Sequence, residues 1–288
     1  MRRYCATALR DGDNLEVELC PNCRAPLLPE HKYCSNCGSP RPSAHQPHRV
    51  PTGITGTPVG LDDLLEGGLE SGKTYLVAGE TGTGKTIFSL QYLLQGIKNG
   101  EPGIYVTIDE RPERLIKDVN RFGWPLEQYV RESKLLILPV RQYFTTKMWG
   151  RDMDVVVNAI VTELQKRSRQ VNARRLVIDP VAPLVATYTT ELSWTREYIR
   201  SLVFSIESKI PTTNIITSEV PTGETSISRY GVEEFLASGI IVLGLARLSN
   251  QIVRSLYIRK MRWTESRPAI YRFEIEKHKG IVLKGPLA

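Results

Sequence analysis

The strongest constraint on what this chain can fold into is the stretch Gly79-Glu80-Thr81-Gly82-Thr83-Gly84-Lys85-Thr86. A G-x4-G-K-[ST] loop cradles phosphate only where it leaves a buried strand and enters a helix, because backbone N–H groups and the helix N-terminus must converge on the anion. The pattern occurs twice, first as Gly67 to Thr74 and again as Gly79 to Thr86. Only the second copy follows an apolar strand pattern, TYLVAGE (74–80), and opens a run with apolar residues at helical spacing, Ile87, Leu90, Leu94 and Ile97. The first follows LDDLLEG and runs into a strand. The second copy is therefore assigned to nucleotide: Gly79, Thr81, Gly82, Thr83 and Gly84 approach the phosphates, Lys85 reaches the β- and γ-phosphates, and Thr86 offers its hydroxyl to magnesium.

Around this loop, short apolar strands alternate with longer helical patterns. The strands are GIYVTID (103–109), KLLILPV (134–140), RLVIDPV (175–181) and TNIITSE (213–219); one helix pattern is Val156, Ile160, Val161 and Leu164. That alternation predicts an α/β fold, a mostly parallel sheet with helices on both faces. A phosphate loop needs a second metal-side carboxylate at the end of a buried strand, and Leu176-Val177-Ile178-Asp179 supplies it. Hydrolysis also needs a carboxylate to orient or deprotonate water. Asp109-Glu110 follows strand 103–109 at the edge where ligands gather in parallel sheets. Glu110 is the expected base with Asp109 in support; both also suit a helix start, with Pro112 in the first turn.

Four of the five cysteines form Cys20-x2-Cys23-x10-Cys34-x2-Cys37. Two CxxC knuckles complete a tetrahedral thiolate shell, so a four-cysteine zinc ribbon is expected over 20–37, with the metal supplying ~10 kcal/mol or more of the folding free energy of so short a module. Residues 1–40 are read as the N-terminal segment with the ribbon, the proline-rich 41–52 as a linker, and 53–288 as the main domain. No run approaches the ~18 apolar residues of a membrane span, and no apolar stretch follows the basic start, so a cytoplasmic protein without membrane contact is expected. The net charge is +7, and residues 245–288 hold ten Lys and Arg against three Asp and Glu, which accounts for all of it. A basic C-terminal region can face nucleotide or nucleic acid.

The run GITGTPVGLDDLLEGGLESGKTYLVAGETGTGKT, with Gly60-Leu61-Asp62, Leu64-Leu65 and Gly67-Gly68 before the loop, resembles the opening of RecA-superfamily ATPases and most closely the KaiC-type branch. The resemblance continues through YVTIDERPERL, LVIDP, ASGIIVLGLAR and RSLYIRKMRW, covering about residues 53 to 283. It implies a RecA-like P-loop NTPase core, ATP with magnesium as cofactors, and paired acidic residues at Asp109 and Glu110. In KaiC-like hexamers a K-x-R pair reaches the neighbouring subunit's γ-phosphate; here the pair is Lys260 and Arg262. Both sit on one strand pattern, where alternation would project them from one face. The resemblance thus implies a homo-oligomeric ring, hexameric by analogy, that hydrolyses ATP to ADP and phosphate as a nucleotide-dependent switch. KaiC clock proteins carry two such domains in tandem, whereas this chain shows one.

The ribbon followed by such a core also resembles bacterial RadA, although NRFG at 120–123 lies before Asp179 rather than after it. The alternative is therefore a recombination or repair factor in which ATP controls assembly on DNA. The DNA or a protein partner would be met by the ribbon or by the basic C-terminal strands, with Trp263 and Tyr271 as stacking candidates or, more simply, packing residues.

Overall fold

The computed structural model describes residues 19–20, 22–27, 33–39, 48–107, 110–140, 152–181, 192–220, 227–248, 250–265 and 268–287. The N-terminal segment 1–18, most of the linker (40–47) and Asp109 lie outside them. The chain divides into two units, Met1–His48 and Arg49–Ala288.

In the first unit, two tight turns carry the cysteine pairs. Cys20 N–H donates to Ala25 O and Arg24 N–H to Cys20 O, both at 2.8 Å, and Cys34 N–H and Gly38 N–H close the second turn on Ser39 O and Cys34 O. Cys20, Leu27 and Cys34 form its small buried cluster. Among the described residues of this unit so little apolar surface is buried that a cross-link becomes their main source of order.

The second unit begins with short pieces: β1 (Arg49–Val50), β2 (Thr55–Gly56), α1 (Leu61–Leu64) and β3 (Leu69–Glu70). Arg49 and Val50, at the end of the proline-rich stretch read as linker, pair with Glu70 and Leu69. Then follow β4 (Thr74–Gly79), α2 (Lys85–Lys98), β5 (Gly103–Thr107), α3 (Pro112–Phe122), α4 (Leu126–Arg131), β6 (Leu135–Pro139), α5 (Met153–Val171), β7 (Arg175–Asp179), α6 (Leu192–Lys209) and β8 (Thr213–Glu219). A four-residue helix, α7 (Glu233–Leu236), leads into β9 (Gly239–Leu248), β10 (Gln251–Met261), β11 (Ile270–Glu276) and β12 (Gly280–Pro286).

Ten strands form one sheet in the order β2-β12-β11-β10-β9-β4-β8-β7-β5-β6. Pairs from β9 through β4, β8, β7 and β5 to β6 are parallel, as is β12 with β2, whereas β9 to β12 run as an antiparallel meander. The mostly parallel α/β expectation therefore holds, with the meander extending it. Strands β4, β5 and β7 are buried along their whole length, which is what helices on both faces produce. One core holds apolar residues of α5 and α6 against the sheet. The other holds those of α2, α3 and α4 with the inner residues of β11 and β12.

Helix α3 stops at Phe122 because Gly123 turns into the left-handed region at φ 100°. Gly123 N–H bonds Asn120 O and Trp124 N–H bonds Val119 O, so NRFG closes a helix. No described helix is long and apolar enough to cross a membrane.

Candidate active site

All parallel strands from β9 to β6 point their C-terminal ends to one edge, and the candidate residues gather there. The first pattern match, ending in Lys73-Thr74, enters β4 directly; Thr74 is buried and its hydroxyl accepts from Asn214 Nδ2 at 3.2 Å. The second match forms a strand–loop–helix turn with Gly84 as the N-cap of α2. Glycine is required at Gly79 by crowding, since a Cβ there would collide with Leu243 O, and at Gly82 by its φ of 81°. Within the loop Lys85 Nζ donates to Gly79 O and Glu80 O, both at 2.9 Å, and Thr83 Oγ1 donates to Glu80 O at 2.8 Å. Burial lowers the Lys85 pKa, and the carboxylates of Glu219 and Asp179 oppose that shift.

Asp179 ends β7 and is 8% exposed. Three hydroxyls donate to its carboxylate: Thr86 Oγ1 at 2.9 Å, the Tyr105 phenol at 2.5 Å and Thr217 Oγ1 at 2.6 Å. Tyr105 keeps its proton because burial, then the Asp179 charge, raise its pKa well above the ordinary value. A hydroxyl and a carboxylate at 2.9 Å, both hard oxygen donors at the head of a phosphate loop, fit magnesium.

Glu110 follows β5 but does not cap α3. The N-cap is Arg111, without a side-chain cap bond, and Pro112 takes the first helical position. The Glu110 backbone is instead pinned to Thr107, whose Oγ1 donates to Glu110 O at 2.8 Å and accepts from Glu110 N–H at 3.3 Å. That leaves the carboxylate outside the capping bonds. Burial raises its pKa, Arg114 pulls it back, and the charges of Asp118 and Asp179 push it further up.

Lys260 and Arg262 lie elsewhere. The expected placement of both on one strand does not occur: β10 ends at Met261, one residue after Lys260, so Arg262 stands in the following turn. Lys260 pairs with Ile240, which faces Leu76, and Arg262 N–H donates to Ser238 O beside Thr74, so Arg262 stands at the start of β4 and Lys260 near its middle, neither at the Gly79 end. Five residue steps of ~3.3 Å put Arg262 roughly 17 Å below the Gly79 level, and three steps put Lys260 about 10 Å below it. Neither cation reaches this chain's own loop. Lys260 Nζ donates to Glu234 O at 3.0 Å and Ala237 O at 2.8 Å. Trp263 is 84% exposed, contrary to a packing role, whereas Tyr271 is buried.

Tyr105, Thr107, Thr217 and Glu219 escaped the sequence reading. Their common signal is a polar side chain in or ending a buried apolar strand. Glu219 pairs with Gly79 across β4 and β8 and so stands at the loop's own level.

In the first unit, all four cysteine Sγ atoms lie within 4.8 Å of one another, with Cys20–Cys37 at 3.6 Å and Cys23–Cys34 at 3.5 Å. Tetrahedral bonds of ~2.3 Å require sulfurs roughly 3.8 Å apart, so the cluster fits one zinc ion. Hydrogen bonding with Ser39, first its side chain and then its backbone, pushes Cys37 down to about 6, which favours the thiolate a metal needs.

A family model described as the KaiC ATPase matches residues 50–287, and a zinc-ribbon domain model matches 19–41. The chain belongs to the KaiC family of ATPases. It is 34% identical over 249 residues to the circadian clock oscillator protein KaiC of Thermostichus vulcanus, covering 86% of this chain and 46% of that one. It thus spans about half the length of the KaiC relatives it matches. A UPF0273 protein of Thermotoga maritima is 35% identical over 244 residues, covering 82% of this chain and 95% of its own. The crystal structure of a KaiC-like protein from Pyrococcus horikoshii superposes with a TM-score of 0.68 at 36% identity, covering 82% of this chain and 98% of that one. The KaiC-like, RecA-type fold therefore accounts for the sheet order and for the edge at which the loop sits.

Proposed function

We propose that the protein is a magnesium-dependent ATP hydrolase that works as a homo-oligomeric ring, converting ATP and water to ADP and phosphate as a nucleotide-dependent switch. The observation that carries this reading is the Thr86–Asp179 contact of 2.9 Å beneath a glycine-shaped loop. It joins a hydroxyl and a carboxylate at the spot where a phosphate-bound metal would be held.

Gly79, Thr81, Gly82, Thr83 and Gly84 bring main-chain N–H groups to the phosphates, and the buried Lys85 adds a cation held by two loop carbonyls. Magnesium, when bound, neutralises charge on the phosphates. Thr86 and Asp179 hold it, while Tyr105 and Thr217 fix the Asp179 carboxylate. Glu110 accepts the proton of the attacking water, with Asp109 in support. Lys260 and Arg262 sit too far from this chain's own loop to act there, which supports a role at the loop of a neighbouring copy. Head-to-tail contacts of that kind close into rings. Zinc at Cys20, Cys23, Cys34 and Cys37 orders the N-terminal ribbon.

The test is Glu110→Gln. ATP hydrolysis should fall by about 10²-fold or more, while ATP affinity, read by fluorescent-nucleotide titration, stays within about twofold. Unchanged turnover would remove Glu110 from the reaction.

A further inference from the structure

The turn that carries Arg262 is anchored far from its own strand. Arg262 N–H bonds Ser238 O at 3.0 Å, and beyond that point the turn is tied to the first residues of the same unit. Arg49 Nη1 donates to Thr264 Oγ1 at 3.0 Å and to Gly68 O at 3.4 Å; its Nη2 donates to Trp263 O at 3.3 Å and to Glu66 Oε2 at 2.9 Å. The second oxygen of Glu66 accepts the Glu265 N–H at 3.2 Å. One guanidinium and one carboxylate therefore hold three consecutive residues after Arg262.

The turn needs holding. Trp263 sits at φ 56°, a region costly for a bulky L-residue, and such a conformation persists only where surrounding contacts impose it. Its indole is 84% exposed, so its own packing supplies little restraint. The Arg49 side chain is only 17% exposed; its Nη1 bonds to Thr264 and Gly68 are partly buried, and its Nη2 bonds to Trp263 and Glu66 lie at the surface. Arg262 itself is exposed and leaves the sheet where this turn points it.

We propose that Arg49 and Glu66 are positioning residues for Arg262, setting the direction in which its guanidinium reaches the nucleotide of a second copy of this chain. The inference rests on the trans role given to Arg262 above. A charge acting on a transferring phosphoryl group stabilises it only when held in place before the reaction, and a misplacement of about 1 Å can cost ~10²-fold in rate. Arg49 is also the residue at which the second unit begins, in the small β1–β3 ribbon, so the start of that unit and the turn that carries the finger out of the ten-stranded sheet share one side chain.

The experiment measures kcat, KM, ATP affinity, thermal midpoint and ring mass by native mass spectrometry for Arg49→Ala, Arg49→Lys, Glu66→Ala, Arg262→Ala and the Arg49→Ala/Arg262→Ala double variant. Arg49→Ala should lower kcat by ~10- to 100-fold with KM and ATP affinity within about twofold and rings intact. Glu66→Ala should lower kcat in the same manner but less, and it carries the test if Arg49→Ala fails to fold. Arg49→Lys should recover part of the loss, because an ammonium keeps some of the four bonds. The double variant should be no slower than Arg262→Ala alone, since nothing is left to position.

A slow Arg262→Ala beside normal Arg49→Ala and Glu66→Ala overturns this proposal and leaves the finger standing. A silent Arg262→Ala overturns both. A double variant slowed by the product of the two single effects, or an Arg49→Ala defect confined to ring assembly, overturns the positioning role.

Discussion

Glu110 is the residue at which environment and proposed task can be checked against each other by pH. Its folded-state pKa is raised, first by burial and then by Asp118 and Asp179, with Arg114 opposing. A base must be ionised to accept a proton, so turnover should rise with pH through an acid limb placed above the ordinary glutamate value. Arg114→Gln removes the opposing cation and should move that limb to higher pH; Asp118→Asn removes a repelling carboxylate and should move it to lower pH. Arg114 and Asp118 are themselves paired at 3.8 Å, and freeing either one reinforces the same direction. Both shifts should shrink in high salt because the pair is exposed. A limb that moves the same way in both variants would show that another group titrates. For stability the sign is reversed: a raised carboxylate pKa means native-state stability is lost as pH rises through it. Glu110→Gln should therefore be at least as heat-resistant as the parent protein while losing turnover, a separation that thermal melts at pH 7 would reveal.

At the scale of elements, the two units draw order from different sources. The larger is covered on both faces of its sheet, whereas the smaller, among its described residues, has a cluster of three buried residues and four convergent thiols. Zinc should then supply ~10 kcal/mol or more to the ribbon and little to the sheet. Removing it with a chelator should accelerate amide exchange across 19–39 while β4, β7 and β8 keep their protection, and metal analysis should find one zinc per chain beforehand. Unchanged protection across 19–39 after complete stripping would refute that division of labour. The same contrast explains what could be read from the chain. Buried parallel strands such as TYLVAG and RLVID carry the apolar runs YLVA and LVI closed by Gly or Asp, so their ends stand out within a residue or two. The two-residue β1 and β3 carry no periodicity to find. Nor could local pattern reveal the clamp on Asp179, because Tyr105 and Thr217 lie 74 and 38 residues away. The bond from Arg49 to Trp263 spans 214 residues and is visible only once the fold closes. Lys260 and Arg262 were legible as a pair, but the end of β10 at Met261, which leaves Arg262 in a turn, was not.

For the whole molecule, the decisive question is whether a site is completed by another copy. The sheet places the phosphate loop at one edge and Arg262 near the other, with Lys260 between them and bonded to Glu234 O and Ala237 O, so a single chain does not bring them to its own loop. This separation makes a mixing experiment informative. A Lys85→Ala subunit loses its own loop's cation but still offers Arg262; an Arg262→Ala subunit keeps its loop and lacks the finger. Each variant alone should lose most turnover, about 10³-fold for the finger. In an equimolar mixture that exchanges subunits at random, about one interface in four joins an intact loop to an intact Arg262, so roughly a quarter of parental activity should return. A protein acting as independent chains would show no recovery beyond the sum of the two variants. Native mass spectrometry must show mixed rings in the same sample; mixed rings without recovery would assign Arg262 to a role other than phosphate contact across the interface.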